Sequence, residues 1–274
     1  MINVMTKKEL LEKLIDISNM GWVKNARPSN DGGVGNTLED LLGIEENNLP
    51  VANAAEWELK SHRAGSSSRI TGYHCEPSPR GASIVANILL PKYGWKHKEA
   101  GKKYPNNEMS FRVTLKNEFN ERGFRIKVNR EESKLEMEFN SEKVDPKNKE
   151  WLDRILKEEG AGNIDPVPYW GFKDLEYIIG AKLRNCFFVV AEVKKEKGVE
   201  YYKYSTVEML RNFNFDLLLK CIEEGKVVFE FDARTGHNHG TKCRWQESVL
   251  PLLYEERTTI VGKGTVMIDP SDYS

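Results

Sequence analysis

Residues 55–61, AEWELKS, alternate between apolar and polar side chains. This alternation predicts a β-strand with two unlike faces, Trp57 and Leu59 on one and Glu56, Glu58 and Lys60 on the other. Glu58 and Lys60 then project about 7 Å apart from the same face. A carboxylate that holds a hard cation, with an ammonium that positions a water, suits phosphodiester hydrolysis. A Glu-x-Lys pair alone is weak evidence, because a solvent-facing charged strand edge shows the same pattern.

The remaining chain mixes helical and strand patterns. Thr6 and Glu9 form a capping box that starts a helix running to about Met20, and a short helix is capped by Thr37 and ended by Gly43. Further helices are predicted at 79–94, 147–158, 171–184, 215–225 and 246–255, with strands at 185–195, 226–234 and 257–261, a three-stranded meander at 110–140 and a loose tail at 262–274. The predicted fold class is α/β, an α+β arrangement with a mixed sheet.

Positive charge is concentrated in one segment of a nearly neutral chain. Lys and Arg number 41 against 42 Asp and Glu in 274 residues, for a net charge of -1, so bulk charge does not predict a nucleic-acid partner. Between residues 60 and 103 only two acids stand against nine basic residues: Lys60, Arg63, Arg69, Arg80, Lys92, Lys96, Lys98, Lys102 and Lys103. Such a surface suits phosphate neutralisation, although a solvated charged face is the competing interpretation. His62 and Arg63, directly after the Glu-x-Lys pair, are side chains of the kind that contact DNA.

The cysteines and the apolar runs exclude several classes. Cys75, Cys186, Cys221 and Cys243 have no CxxC spacing, which indicates neither a zinc knuckle nor a disulfide framework. The start of the chain, MINVMTKKELLEKL, has an amphipathic helical pattern, and no run approaches the roughly 20 apolar residues of a membrane span. The sequence therefore predicts a soluble, cytoplasmic protein.

The segment 232–244, DARTGHNHGTKCR, gathers side chains that can read base edges. An arginine can fork onto guanine, an aspartate can accept from cytosine and a histidine can donate to a guanine acceptor. A metal site at the two histidines and a merely polar loop are the alternatives, and zinc would need further ligands at typical spacing. The candidate DNA-binding residues of this segment are Asp232, Arg234, His237, His239, Lys242 and Arg244.

A third candidate segment is YYKYSTVEML, residues 201–210. Tyr201, Tyr202 and Tyr204 have the flat rings that stack on bases. Alternating aromatic residues on a strand are more typical of core packing, which is the favoured interpretation here.

Several short motifs, in their order and spacing, resemble those of the MvaI/BcnI family of type II restriction endonucleases, relatives of the mismatch-repair nickase MutH. The resemblance runs from about residue 21 to 261. Its motifs are GNTLEDLLG, ENNLP, EWELKSHR, PSPRGA with Arg80, YW-F-L, YYKYS, DARTG and HNHGT-C-R.

This resemblance implies a PD-(D/E)xK fold, with a catalytic lobe and a recognition lobe around a cleft for duplex DNA. As a single unit over 1–274, the chain would place the catalytic lobe at about 1–115 and the recognition lobe at about 165–261. It implies a monomer that reads a short CC-N-GG-type site and nicks one strand at a time, with Mg²⁺ as cofactor and Mn²⁺ as a substitute. Double-stranded DNA is the implied partner, and a DNA methyltransferase is expected in the same system without a stable complex.

Residue by residue, the resemblance assigns Glu58 to the metal and Lys60 to catalysis. Glu39 matches a helical glutamate that supports the site. The residues that match readers of the C:G pairs are Asp232, Arg234, His237, His239 and Arg244.

The chain departs from the family pattern at Asn53, where an aspartate is expected. An amide oxygen can bind Mg²⁺ but carries no charge, so metal affinity should fall. Glu56 and Glu39 are carboxylates that could compensate. Either the site is a working variant, the favoured hypothesis, or the protein binds DNA without cutting efficiently.

The leading hypothesis is a sequence-specific, Mg²⁺-dependent DNA endonuclease of the restriction type. The alternatives are a repair nickase like MutH, a non-catalytic DNA-binding protein with a decayed site, and a metal-dependent enzyme acting on something other than DNA. The DNA sequence at which the protein cuts separates the restriction enzyme from the repair nickase. A gain of activity in Asn53→Asp would identify the DNA-binding protein with a decayed site.

Overall fold

The computed structural model describes residues 5–28, 32–44 and 57–268. Its α-helices are α1 (Lys7–Asn19), α2 (Gly33–Leu42), α3 (Leu90–Tyr93), α4 (Lys149–Glu158), α5 (Phe172–Leu183) and α6 (Phe215–Glu223). Its strands are β1 (Val23–Lys24), β2 (Trp57–Arg63), β3 (Ile70–His74), β4 (Trp95–Lys96), β5 (Met109–Leu115), β6 (Arg122–Asn129), β7 (Lys134–Val144), β8 (Tyr169–Gly171), β9 (Asn185–Glu196), β10 (Val199–Phe213), β11 (Val227–Arg234), β12 (His237–Asn238), β13 (Lys242–Trp245), β14 (Tyr254–Gly262) and β15 (Thr265–Val266). Short 3₁₀ helices lie at Arg80–Ala82, Pro146–Asn148 and Glu247–Leu253, and a π-helical turn lies at Val85–Leu89.

The first of two compact units is built from three segments of the chain, Met1–Ser68, Tyr177–Phe215 and Leu250–Ser274. Its sheet has the order β15-β14-β10-β9-β2, with β1 also paired to β10. The pairing of β2 with β9 is parallel and the other pairings are antiparallel. The face of the sheet that carries Trp57 and Leu59 packs with α1 and α2 in one apolar cluster. Side chains alternate along a strand, so Glu58 and Lys60 lie on the opposite face.

The second compact unit comprises Arg69–Glu176 and Asp216–Val249. One antiparallel sheet has the order β3-β13-β11-β5-β4, with β12 paired to β11, and a second consists of β6-β7-β8. Along β11 the aromatic residues Phe229 and Phe231 are buried, whereas Glu230, Asp232 and Arg234 are half-buried between and after them. This alternation gives the larger sheet an apolar face toward the core and a polar face.

Most helices and strands predicted from sequence patterns are confirmed. Both hydrogen bonds of the capping box between Thr6 and Glu9 begin α1. The helices at 147–158, 171–184 and 215–225 and the strands at 185–195 and 226–234 correspond to α4, α5, α6, β9 and β11. Gly43, in the left-handed conformation, ends α2 as expected.

Thr37 does not cap α2, contrary to the sequence prediction. The helix begins four residues earlier, at Gly33, and Thr37 lies inside it. The Thr37 hydroxyl instead accepts a hydrogen bond from the backbone N–H of Ala26 at 3.1 Å. A β-carbon at Gly33 would lie 2.6 Å from the Tyr202 hydroxyl, so the helix start depends on a close approach to β10 that no local pattern reveals.

The predicted meander at 110–140 is wrong in its pairing, although all three strands exist. β6 and β7 form a hairpin, but β5 pairs with β11 and β4 in the larger sheet. Residues 262–268, the described part of the predicted loose tail, are also more ordered than predicted, because β15 pairs with β14 and Ile268 packs against the core of the first unit. Both errors concern partners distant in sequence, which alternation along one strand does not identify.

The two compact units have different bounds from the two lobes expected from sequence. Residues 69–115 belong to the second unit, and residues 177–215 belong to the first together with β2. The parallel pairing of β2 with β9 joins strands of the first unit that are more than a hundred residues apart in sequence. Neither unit is one continuous stretch of the chain. Among the described residues, no helix is both long enough and apolar enough to cross a membrane.

Candidate functional site

Glu58 and Lys60 form a close ion pair on β2. The Lys60 Nζ lies 2.6 Å from the Glu58 Oε1, and the carboxylate side chain is only 3% exposed. A solvent-facing charged edge is therefore the wrong interpretation for Glu58, which parallel pairing places beside Cys186 of β9. A carboxylate buried to this extent is desolvated and needs a positive partner.

The second oxygen of Glu58, Oε2, is buried and accepts no hydrogen bond from any residue of 5–28, 32–44 or 57–268. A carboxylate oxygen in this condition is costly in a folded protein unless a ligand satisfies it. A divalent cation is such a ligand, and carboxylate oxygen is the donor that Mg²⁺ prefers. Glu58 therefore fits the role of a metal ligand.

The remaining proposed ligands cannot be placed around Glu58. Asn53 and Glu56 lie outside the described residues. Within 5–28, 32–44 and 57–268, no three His, Cys, Asp or Glu side chains come together as a metal site. Among the described residues, Glu58 is thus the one proposed ligand with an observed fit.

Glu39 lies on α2 and is half-buried. Its helix packs through Leu38 and Leu42 in the cluster that also contains Trp57 and Leu59, on the far side of β2 from Glu58. A supporting role for Glu39 stays a prediction.

A second lysine approaches Glu58, one that the sequence patterns did not single out. Lys182, in the last turn of α5, lies with its Nζ 3.8 Å from the Glu58 Oε1. The neighbouring Cys186 is fully buried, and this burial raises the pKa of its thiol to about 12 against the opposing effect of Lys60. Cys186 is therefore a neutral packing residue and no nucleophile.

His62 and Arg63, predicted as DNA contacts, make contacts within the first unit. His62 is 5% exposed, and its Nε2 lies 3.0 Å from the carbonyl oxygen of Ser68. The Arg63 guanidinium donates to the Glu200 carboxylate at 3.1 Å and to the Tyr202 hydroxyl at 3.3 Å. These contacts fix both side chains, and their DNA-binding role stays a prediction.

The polar face of the larger sheet brings together four of the residues predicted in the segment 232–244. In the strand register Lys242 pairs with Glu230 and Glu230 with Thr114, while Asp232 pairs with Arg112. These side chains and Arg244 line an open pocket of about 180 Å³. Arg234 continues the same face at the end of β11.

Ion pairs organise this face, and three of their members were missed from sequence. Glu230 accepts from Arg244 at 2.8 Å and from Arg69 at 3.1 Å. Arg112, with a side chain 70% exposed, lies 3.5 Å from Asp232. The alternation of SFRVTL in β5 was a usable signal for Arg112, but only the pairing with β11 shows that it shares a face with Asp232.

Arg234 is held from two sides within the second unit. Its Nη1 donates to the Glu108 carboxylate at 3.1 Å, and Glu108 is only 4% exposed. Its guanidinium carbon lies 4.7 Å from the ring centroid of Tyr104. These contacts fix the plane of the guanidinium, as a bidentate base contact requires.

His237 and His239 lie exposed beyond the end of β11. Their rings meet edge to face with centroids 4.2 Å apart, and the His239 N–H donates to the Asp232 carbonyl at 2.9 Å. The nearby Cys243 is fully buried, which raises the pKa of its thiol well above the usual value.

Arg80, another predicted DNA contact, is exposed on its 3₁₀ turn, with its Nη2 3.6 Å from the Cys75 sulfur.

Core packing is the correct interpretation for Tyr202 and Tyr204. Both are 0% exposed, and the Tyr204 hydroxyl donates to the Val34 carbonyl of α2 at 2.9 Å. Tyr201 is half-buried, with Lys194 over its ring.

The comparisons with known proteins agree with the architecture. The family model described as "MvaI/BcnI restriction endonuclease family" matches residues 11–254. The structure titled "Restriction endonuclease MvaI-cognate DNA substrate complex" is similar with a TM-score of 0.72 and 24% identity, covering 94% of this chain and 100% of the other. "Restriction endonuclease MvaI in the absence of DNA" gives a TM-score of 0.54 at 24% identity, covering 95% and 100%. Among curated proteins, none matches.

Proposed function

Because the chain belongs to the MvaI/BcnI restriction endonuclease family, we propose that it cuts duplex DNA at a short, pseudopalindromic CC-N-GG-type site in a Mg²⁺-dependent reaction. Family membership makes it a type II restriction endonuclease, a sequence-specific DNA endonuclease of a family that uses divalent metal ions. The choice of Mg²⁺, the site, and nicking by a monomer are parts of the proposal.

The observation that carries the proposal is the Glu58–Lys60 pair with its unsatisfied carboxylate oxygen. Glu58 would hold the divalent cation through Oε2, with Asn53 and Glu56 as further ligands and Glu39 in support. A cation held there would supply Lewis acidity to the phosphate that is attacked, and Mn²⁺ could replace Mg²⁺ in this role. Lys60 would orient the attacking water and offset the charge that develops on the phosphate.

The polar face of the second unit supports the assignment of base reading to that unit. Arg234 and Arg244 are held by carboxylates on this face, and a guanidinium fixed in this way can present its remaining N–H groups to a guanine edge. Asp232 can accept from a cytosine amino group. His237 lies on β12 and Lys242 on β13, both paired with β11, and His239 directly follows β12. His62, Arg63 and Arg80 are assigned to DNA contacts outside the bases.

The uncharged ligand at Asn53 favours a site that works with weaker metal affinity. The same residue favours one second candidate function, a sequence-specific DNA-binding protein with a decayed nuclease site. Asn53→Asp distinguishes the two. The working variant already cuts before the change, whereas the decayed binder gains cleavage only after it.

The proposal includes the setting of the enzyme. A monomer with one active site cuts one strand at a time, and a restriction enzyme needs a methyltransferase that protects the host genome without forming a stable complex with it. The double-stranded DNA of the cytoplasm is the proposed substrate.

Plasmid cleavage tests this function. Incubation of unmethylated supercoiled plasmid with protein and Mg²⁺ should give nicked circles first and linear DNA second, at discrete positions. Glu58→Ala and Lys60→Ala should remove cleavage and retain duplex binding, whereas the exposed control Lys195→Ala should cut normally. Absence of cleavage of every unmodified DNA with either Mg²⁺ or Mn²⁺ would refute the proposal.

A further inference from the structure

Lys182 reaches the candidate active site from a different element than Lys60. It lies in the last turn of α5, and Cys186 of β9, four residues later, pairs directly with Glu58. This short connection positions the backbone of Lys182 near β2, and the Lys182 Nζ lies 3.8 Å from the Glu58 Oε1. Its side chain is 31% exposed, so the ammonium is accessible from outside.

Two ammonium groups therefore converge on one carboxylate. Lys60 already engages the Glu58 Oε1 at 2.6 Å, and Lys182 approaches the same oxygen from further away. Among the described residues one carboxylate faces both ammonium groups, which leaves an excess positive charge in that part of the chain, beside a side chain that is 3% exposed. A partly desolvated ammonium without a full counter-charge favours a further anion.

A phosphate of the DNA strand is the anion that the proposed function brings to this position. Before DNA arrives, the same ammonium opposes a divalent cation at Glu58, because like charges repel at short distance.

On the basis of the proposed endonuclease function, we propose that Lys182 is a second substrate-contacting cation of the active site. It holds a phosphate oxygen of the strand that is cut, and in the DNA-free protein it weakens binding of the divalent cation at Glu58. Lys182 thus strengthens binding of the DNA phosphate and weakens binding of the divalent cation.

A purely structural role for Lys182 predicts something different. A lysine in the last turn of a helix interacts favourably with the helix dipole, which affects stability alone. Its removal would then lower the thermal midpoint slightly and leave metal binding and the cleavage rate of the folded protein unchanged.

The test compares the full-length wild type with Lys182→Met, Lys182→Arg and the control Lys173→Met, which removes an exposed lysine from the first turn of the same helix. Calorimetry measures Mn²⁺ binding without DNA, and single-turnover assays measure cleavage of a duplex that contains a site mapped with the wild type. Lys182→Met should bind Mn²⁺ roughly tenfold more tightly, since a like charge is removed. It should cut roughly a hundredfold more slowly, as for loss of one group that stabilises transition-state charge. Lys182→Arg and Lys173→Met should stay near the wild type in both assays.

Tighter metal binding together with slower cleavage cannot arise from partial unfolding, because partial unfolding lowers both the metal affinity and the cleavage rate. Wild-type cleavage by Lys182→Met, or unchanged Mn²⁺ affinity, overturns the inference and leaves the endonuclease function standing. Absence of cleavage by the wild type itself refutes the proposed function, and the inference about Lys182 falls with it.

Discussion

Glu58 combines near-complete burial with a carboxylate oxygen that has no hydrogen-bond partner in the described part of the chain. Its other oxygen is shared by two lysines. Proteins rarely retain a buried unsatisfied polar atom without a functional reason. This residue therefore links the fold, which buries it through parallel pairing, to the proposed chemistry, which needs an open coordination position for a metal ion.

Metal binding at Glu58 should be visible as stabilisation. Saturating Mg²⁺ is expected to raise the thermal midpoint of the wild type, because a ligand that binds the folded state at a hundred times its Kd stabilises by about 2.7 kcal/mol. Glu58→Gln removes the charge at nearly constant volume, so its midpoint should not respond to Mg²⁺. The exposed control Glu142→Gln should respond as the wild type does. An equal shift for Glu58→Gln would contradict the assignment of the ligand.

Arg234 is the residue at which base reading is best tested. Arg234→Lys keeps the charge but loses the planar fork and its contact with Tyr104. We expect a loss of about 1–3 kcal/mol of discrimination against sites with one substituted G:C pair, measured as relative cleavage rates. Arg125→Lys is the control, since Arg125 also pairs with a carboxylate and lies over an aromatic ring. Unchanged discrimination in Arg234→Lys would argue that another side chain reads that pair.

At the scale of single residues, the sequence predicted which side chains form the candidate site better than it predicted their burial and their neighbours. The alternation around Glu58 and Lys60 placed both on one face, but only the pairing with β9 shows that Glu58 is buried. Arg112 and Lys182 were missed because their neighbours in space are distant in sequence. A pattern within one element does not carry that information.

The ring of Trp245 on β13 packs directly against Gly72 of the neighbouring strand β3. A β-carbon there would lie 1.9 Å from the fully buried ring of Trp245. This approach places Thr71 and Arg244 side by side in the strand register of the polar face.

Gly72→Ala should destabilise the protein by roughly 1–3 kcal/mol, because overpacking moves the indole or the strand. Gly180→Ala is the matched control: it lies in α5 with no atom close to the added methyl group, and should stabilise by about 0.5–1 kcal/mol. Denaturant unfolding measures both changes. Equal stability of Gly72→Ala and the wild type would show that β3 and β13 lie further apart than described.

Elements were predictable where the signal is local. The capping box of α1, Gly43 after α2 and the alternation of β11 all depend on near neighbours. The start of α2 and the partner of β5 depend on Tyr202 and β11, far along the chain. Local rules therefore identified the elements, and long-range packing decided their limits and pairing.

In the whole molecule, each compact unit is assembled from segments that are far apart in the sequence. The sheet of the first unit takes strands from 57–63, 185–196, 199–213 and 254–262, so no fragment that ends before residue 254 contains all of them. A fragment of residues 1–115, the lobe expected from sequence, has β2 without β9. We expect it to lack a cooperative thermal transition in circular dichroism, whereas the full chain unfolds cooperatively. A cooperative transition for the fragment would contradict the described pairing.

The central claim is that this protein is a metal-dependent endonuclease whose chemistry depends on Glu58 and Lys60. Sequencing of the DNA ends released from unmethylated genomic DNA with Mg²⁺ tests it most directly. The wild type should give ends confined to one short G:C-rich site of the CC-N-GG type, and Lys60→Ala should give none above background. Ends scattered without a common sequence, or the same ends from Lys60→Ala, would contradict the claim.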